Sequence, residues 1–370
     1  MLRTERRRLD PAILNLPVEK MRDGYYSDVY FNRAREILEA DRYHPRVRMQ
    51  VFQRNRSVLC GIDEAIAILK LCSGRRGPDG AWEDGWDQLA VRALYDGDEI
   101  APFETVMTIE GDYALFAHLE TSYLGVLARR TRIATNARAI VDAADGKDVL
   151  FFPARFDHHL VQTGDGYAAY ISGALGVSTD ANAEWWGSRG MGTVPHALIA
   201  AYGGDTVRAT EKFAQYIDPT VNVIALVDFE NDCVGTSLAC ARALRERLWG
   251  VRLDTSGTLV DASVIPQMGT FNPTGVNEQL VLNVRGALDA EGFQHVKIVV
   301  SGGFDAARIR RFEGERVPVD AYAVGSAFFK GAGTFDFTAD IVALDTGSGW
   351  RECHKVGRPE RPNPRLSPVS

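Results

Sequence analysis

After Gly146 the chain alternates short β-branched or apolar runs with helical segments, and this alternation limits the possible folds more than any other feature. The runs are VLFFPAR, GVST, VNVIALVDF, GVRLD, HVKIVVSGG and DAYAVGS, and stretches such as TSLACARALRERLW and NEQLVLNVRGALD lie between them with apolar residues at helical spacing. Runs this continuously apolar are buried on both faces, as parallel strands are, with the helices serving as right-handed crossovers. Periodicity alone permits a closed barrel or an open sheet. The 185 residues from 146 to 330 are few beside the ~250 of a full eight-fold barrel.

The region before Gly146 reads differently. FNRAREILEA is helical, RVRMQVFQRN alternates as a strand does, and GIDEAIAILKLC is helical again. ALYDGDEIAPFETVMTIEGD alternates and turns on Gly and Asp, which predicts short strands in a small sandwich or ribbon. A long helical stretch then runs from Tyr113 to about Ala144, and near the C-terminus FTADIVALD reads as one more strand before the Pro-rich tail RPERPNPRLSPVS. The expected organisation is an α/β domain with a small sandwich over 1–145, a parallel α/β region over 146–330, and a strand and tail over 331–370 that return to the first domain.

A chain of 370 residues fits two or three domains. With 45% hydrophobic and 25% charged residues, it has the composition of a globular protein, not of a disordered, collagenous or coiled-coil one. The 42 Lys and Arg against 49 Asp and Glu leave a net charge of −7, which argues against nucleic acid as a partner. The basic start MLRTERRRLD is followed by no apolar stretch of signal-peptide length, and no run approaches the ~20 residues of a membrane span. Cys60, Cys72, Cys233, Cys240 and Cys353 are odd in number and form no C-x-x-C, so we expect reduced thiols and a cytoplasmic setting.

In a parallel architecture ligands bind at the carboxyl ends of the strands. The residues just after the apolar runs are Arg155, Ser178 and Thr179, Asp228, Arg252 and Asp254, Ser301, Gly302 and Gly303, and Gly325 with Ser326. A glycine pair between a strand and a helix start lets backbone N–H groups approach an anion that the helix dipole also favours, and SGGFDAARI has that form. AVGS ends the next strand with a second small-residue turn, so a phosphate is the expected ligand of the pair. Arg252 and Asp254, two apart at a strand end, project from one face and suit an anionic or aromatic group and a diol. His196 follows a Gly-Thr turn and a Pro, where an imidazole can act as nucleophile or base, and Asp228 can orient it. His158 and His159 are adjacent in sequence and lack the spacing of a metal site, so we expect them to hold no metal.

DVYF at 28–31, LETSYLGVLARRT, GVST, GTVPHAL, ALVDF, VRLD, SGGFD and AVGS come in the order seen in nicotinate phosphoribosyltransferases, and the resemblance runs from about Met21 to Asp345. It implies a type II phosphoribosyltransferase: an irregular TIM-like α/β barrel with an N-terminal α/β sandwich-type domain, working as a homodimer or higher homo-oligomer that completes its sites across the interface. The activity it implies joins nicotinate to phosphoribosyl pyrophosphate, giving nicotinate mononucleotide and pyrophosphate for NAD biosynthesis, with Mg²⁺ and with ATP hydrolysis coupled through a phosphohistidine. By resemblance His196 is that histidine, Asp228 its supporting acid, and Arg252 with Asp254 the pair contacting the pyridine ring and ribose. Gly302, Gly303 and Gly325 match the 5′-phosphate turns, and Tyr30 matches an aromatic stacking on the pyridine from the neighbouring subunit. A carboxylate near an oxocarbenium-like transition state is favourable, which suits Asp254.

Ser178 stands where relatives using nicotinamide carry an Asp, which would repel nicotinate. Arg155 is assigned to the phosphoribosyl or carboxylate end of the ligands. Two departures from the family pattern stand out: RFDHHLVQTGDGYAAY replaces an Arg- and His-Pro-containing segment, and the tail has only Cys353 where some relatives carry a four-cysteine zinc knuckle, so no zinc is expected. Two alternatives carry different expectations. A decarboxylating quinolinate phosphoribosyltransferase needs clustered cations for a dicarboxylate and no GTVPH histidine, whereas a catalytically silent sugar-phosphate sensor has no need of His196, Asp228 and Asp254 together.

Overall fold

The structure, a computed structural model, describes residues 7–331 and 335–370; the first six residues of the basic start lie outside them. In chain order the strands of its two large sheets are β1 (Arg46–Gln53), β2 (Ala90–Ala93), β3 (Thr105–Asp112), β4 (Asp148–Phe151), β5 (Gly176–Val177), β6 (Val223–Leu226), β7 (Leu248–Leu253), β8 (Lys297–Val300), β9 (Ala321–Val324), β10 (Phe337–Asp345), β11 (Trp350–Glu352) and β12 (Ser367–Pro368). The helices used below are α1 (Val29–Ala40), α2 (Ile62–Cys72), α3 (Glu120–Ala143), α4 (His196–Ala201), α5 (Cys233–Leu244), α6 (Glu278–Ala290) and α7 (Ala306–Gly314). The chain divides into two compact units. One holds the residues up to Thr135, Tyr167–Ser172 and the C-terminal segment to Ser370; the other holds Asn136–Gly166 and Gly173–Gly331.

The first unit is an antiparallel sheet in the order β11-β10-β1-β3-β2-β12. Its core takes Val47, Met49 and Val51 from β1, Val106, Met107 and Ile109 from β3, and Ile62, Ile66 and Leu69 from α2. The apolar string IDEAIAILKLC buries nearly every residue of α2. The stretch read as a sandwich or ribbon, residues 93–112, forms a two-residue strand Glu99–Ile100 paired with Ser57–Val58 and then β3, which pairs with β2 from Ala90–Glu110 to Ala93–Met107. FTADIVALD forms β10, pairing with β1 from Val47–Leu344 to Gln53–Phe337.

The second unit is a parallel sheet in the order β6-β7-β8-β9-β4-β5, the α/β barrel-like architecture expected. β6 and β9 are buried along their whole length, as parallel strands covered on both faces must be. Read cyclically, this order follows the chain except for one gap, between β5 and β6. An irregular segment fills the gap: Met191 N–H donates to the Val177 carbonyl at 2.7 Å, and Val194 N–H donates to the Ile224 carbonyl at 3.3 Å. Inside the ring, Leu150, Phe152, Ile224, Trp249, Val299, Ala321 and Ala323 pack together from five strands. The curled sheet therefore presents its carboxyl ends, and the residues that follow them, to one opening.

Candidate functional site

Those strand ends surround a cavity of about 590 Å³. Arg155 and Phe156 reach it from the turn after β4, Ser178 from the end of β5, and His196 from the start of α4. Arg252 and Asp254 come from β7, Ser301, Gly302 and Gly303 follow β8, and Gly325 and Ser326 follow β9. Most residues expected from the sequence thus converge on one cavity. Phe156 and Phe304 also line it and were not anticipated.

Three expected residues are placed otherwise. Asp228 stands behind the imidazole, off the cavity lining, and binds His196 Nε2 through Oδ1 at 3.0 Å. The Thr179 hydroxyl caps a short helical turn, accepting from Asn182 N–H at 3.1 Å and facing Gln162 Oε1 at 3.0 Å. Tyr30 belongs to the first unit, on α1, where it is exposed and its phenol donates to Asp28 at 3.3 Å.

Pro195 ends the gap-filling segment and precedes α4, so His196 projects from the first turn of a helix. Its side chain is 44% exposed and the Asp228 side chain only 8%, an arrangement with the acid inside and the imidazole facing the opening. Burial pushes the Asp228 carboxyl above the usual carboxylate range, and the imidazole acts in the opposite direction. A carboxylate on Nε2 fixes the ring and leaves Nδ1 as the unpartnered nitrogen; among the described residues nothing bonds to it.

Arg252 and Asp254 form a loose pair, Nη2 to Oδ2 at 3.5 Å. Ser301 Oγ lies 2.7 Å from Asp254 Oδ1, which holds the carboxylate in one orientation. Burial lowers the Arg252 guanidinium from its ordinary value, opposed by Asp254 and Asp228, though it remains charged. Both Arg252 Nε and Ser178 Oγ are buried with no hydrogen-bond partner among the described residues. Buried polar atoms normally have partners, and these two belong to residues lining the cavity, where a bound group can supply them.

Gly302 and Gly303 take φ of +85° and +78°, which glycine adopts without steric cost. Asp305 then caps α7 through Oδ1 to Arg308 N–H at 2.9 Å. Among the described residues no group accepts from the backbone N–H of Gly303, Phe304, Gly325 or Ser326. Free N–H groups from two adjacent turns beside a helix start make a place for an anion. Asp254 is the carboxylate among the described residues lining the cavity, the kind of single ligand that Mg²⁺ can take when phosphate and water fill its other positions.

Residues 28–131 match a family model described as the N-terminal domain of quinolinate phosphoribosyl transferase. A nicotinate phosphoribosyltransferase of Mycobacterium tuberculosis is 32% identical over 257 residues, 68% of this chain and 52% of that protein; the match spans about half the length of such curated relatives. The crystal structure of a nicotinate-nucleotide pyrophosphorylase from Pyrococcus furiosus is 32% identical and superposes with a TM-score of 0.77, covering 96% of this chain and 85% of that one. The human nicotinic acid phosphoribosyltransferase structure, at 17% identity, shares the fold with a TM-score of 0.65 over 88% of this chain and 76% of its own. The chain belongs to the family of type II phosphoribosyltransferases that holds nicotinate-nucleotide pyrophosphorylase and nicotinate phosphoribosyltransferase.

Proposed function

We propose that this protein transfers a phosphoribosyl group from phosphoribosyl pyrophosphate to nicotinate, forming nicotinate mononucleotide and pyrophosphate for NAD biosynthesis, with ATP hydrolysis coupled through His196. The observation that carries the reading is the joining of two kinds of machinery in one cavity: the His196–Asp228 pair and the glycine turns with Arg252 and Asp254. A binding protein for a sugar phosphate needs the turns but gains nothing from an oriented, half-exposed imidazole.

In this reading the N–H groups of the two turns hold the 5′-phosphate. Asp254, kept in place by Ser301, faces the ribose and the positive charge that develops at its anomeric carbon. Asp254 would hold Mg²⁺, which would neutralise charge on the departing pyrophosphate. Arg252 and Ser178 hold the pyridine carboxylate, and His196 Nδ1 attacks the γ-phosphorus of ATP, the N–P bond forming as the bond to the departing ADP breaks, while Asp228 accepts from Nε2–H and stabilises the positive ring. Tyr30 would cover the base from a second subunit, which makes a homodimer the working form.

The named pyrophosphorylase relative and the matching N-terminal family model favour quinolinate as the second reading. Charge favours the monocarboxylate. Arg155, Arg252 and His196 are the lining side chains that can be cationic, and the donor's phosphates already call on them.

Pyrophosphate release from phosphoribosyl pyrophosphate and Mg²⁺ decides the matter, measured with nicotinate, nicotinamide or quinolinate, with and without ATP, for the native protein and His196→Ala. We expect turnover with nicotinate that ATP raises only in the native protein. Turnover with quinolinate alone would overturn the reading in favour of the decarboxylating reaction.

A further inference from the structure

The Gly302–Gly303 turn is braced from behind by one side chain. Arg308, in the first turn of α7, donates through Nη1 to the Gly302 carbonyl at 3.0 Å and through Nη2 to the Val276 carbonyl. Its guanidinium lies 4.2 Å from the centre of the Phe304 ring and 5.9 Å from that of Phe312. Among the described residues no carboxylate comes within ion-pair distance of it, whereas its neighbour Arg311 pairs with Glu278. A half-buried cation whose hydrogen bonds go only to carbonyls, at the N-terminal end of a helix whose dipole disfavours positive charge, is unfavourable for the fold.

We propose that Arg308 is the positioning residue of the phosphate site: it fixes the Gly302 peptide so that the Gly303 N–H points at the anion, and its unpaired charge completes the attraction. In a trans peptide the carbonyl and the following N–H point in opposite directions. Anchoring the Gly302 oxygen on Arg308 therefore turns the Gly303 N–H away from the guanidinium. Polarising that carbonyl also strengthens the N–H as a donor. Arg308 lies outside the cavity lining, so it acts through the turn without touching the ligand. The cost of its unpaired charge is offset when a phosphate arrives on the far side of the same peptide. The inference rests on the phosphate reading of the turn.

Calorimetric titration of the 370-residue chain with ribose 5-phosphate, a probe needing neither acceptor nor ATP, tests it on the native protein, Arg308→Met and Arg308→Lys. We expect binding by the native protein, a loss on the order of 10- to 30-fold in Arg308→Met, and partial recovery in Arg308→Lys, which keeps the charge but not the two-carbonyl fork. In turnover with phosphoribosyl pyrophosphate, KM should rise by a similar factor while kcat stays within about 3-fold, a split that general loosening of the fold would not produce. Should Arg308→Met fail to fold, native-like binding by Arg308→Lys would overturn the proposal. Equal affinity of all three proteins would overturn it and leave the reaction assignment standing. No binding by the native protein would remove the phosphate reading and this inference with it.

Discussion

Glu120 opens α3 with 9% of its surface exposed, and among the described residues no cation stands within ion-pair distance. Burial first, and then the like charges of Asp340 and Asp28, raise its carboxyl from the ordinary 4.5 to about 8. The folded protein holds this group neutral at a pH where the unfolded chain ionises it. The stability this confers is full below about 4.5, falls as pH rises, and is gone above about 8. At about 1.4 kcal/mol per pH unit the whole interval is worth ~5 kcal/mol, and relaxation around a buried group reduces it to the order of 3 kcal/mol. Glu120→Gln keeps the shape and removes the titration. Urea unfolding of both proteins at pH 5 and pH 9 should give similar stabilities at pH 5 and a more stable variant at pH 9, by on the order of 3 kcal/mol. A difference that does not change with pH would refute the argument. A less stable variant at pH 9 would show that the carboxylate is paired in the fold.

Other expected outcomes concern the site. Asp228→Asn should abolish stimulation by ATP, with basal nicotinate turnover within about 10-fold of native, because the ring loses its stabilised imidazolium while the turns remain; acid-labile phosphate on the protein after exposure to labelled ATP is the readout. Gly303→Ala has space, its Cβ meeting nothing closer than Arg308 at 4.0 Å, but at φ +78° it costs about 1–2 kcal/mol, so KM for phosphoribosyl pyrophosphate should rise roughly 10-fold; an unchanged KM would remove the turn from the donor site. Ser178→Asp should cut kcat/KM for nicotinate on the order of 100-fold and improve nicotinamide relative to it, as competition kinetics would reveal.

The parallel ring was legible because burial on both faces writes itself as apolar runs, and the polar residues closing the runs mark the cavity or its support; Arg252 with Asp254 at GVRLD line it, and Asp228 after VNVIALV backs His196. Where the backbone is irregular the signal fails. GSRGMGT reads as a loop, and nothing in it tells that Met191 and Val194 bond to the strands on either side. Thr179 carries the same polar signature as Ser178, but the chain spends its hydroxyl on a local cap. Arg308 sits in DAARIRRFE, where a basic residue looks like part of a solvated helix face, and only the fold brings it under the turn. Likewise FTADIVALD reads as a strand, while its pairing with β1, nearly 300 positions earlier, is a long-range fact that no local pattern holds.

The ring has one seam. Everywhere else neighbouring strands are zipped by ladders, whereas between β5 and β6 the join rests on a glycine-bearing stitch anchored by one bond to each side. Any breathing of the barrel concentrates there, because two hydrogen bonds yield before a ladder does. His196 hangs two residues beyond that stitch, while the glycine turns follow β8 and β9, each of which pairs with a strand on either side. Its bond to Asp228, which follows β6, ties the imidazole to the β6 side of that join. Hydrogen exchange at Met191 and Val194 should accordingly outpace that of the β8 and β9 amides.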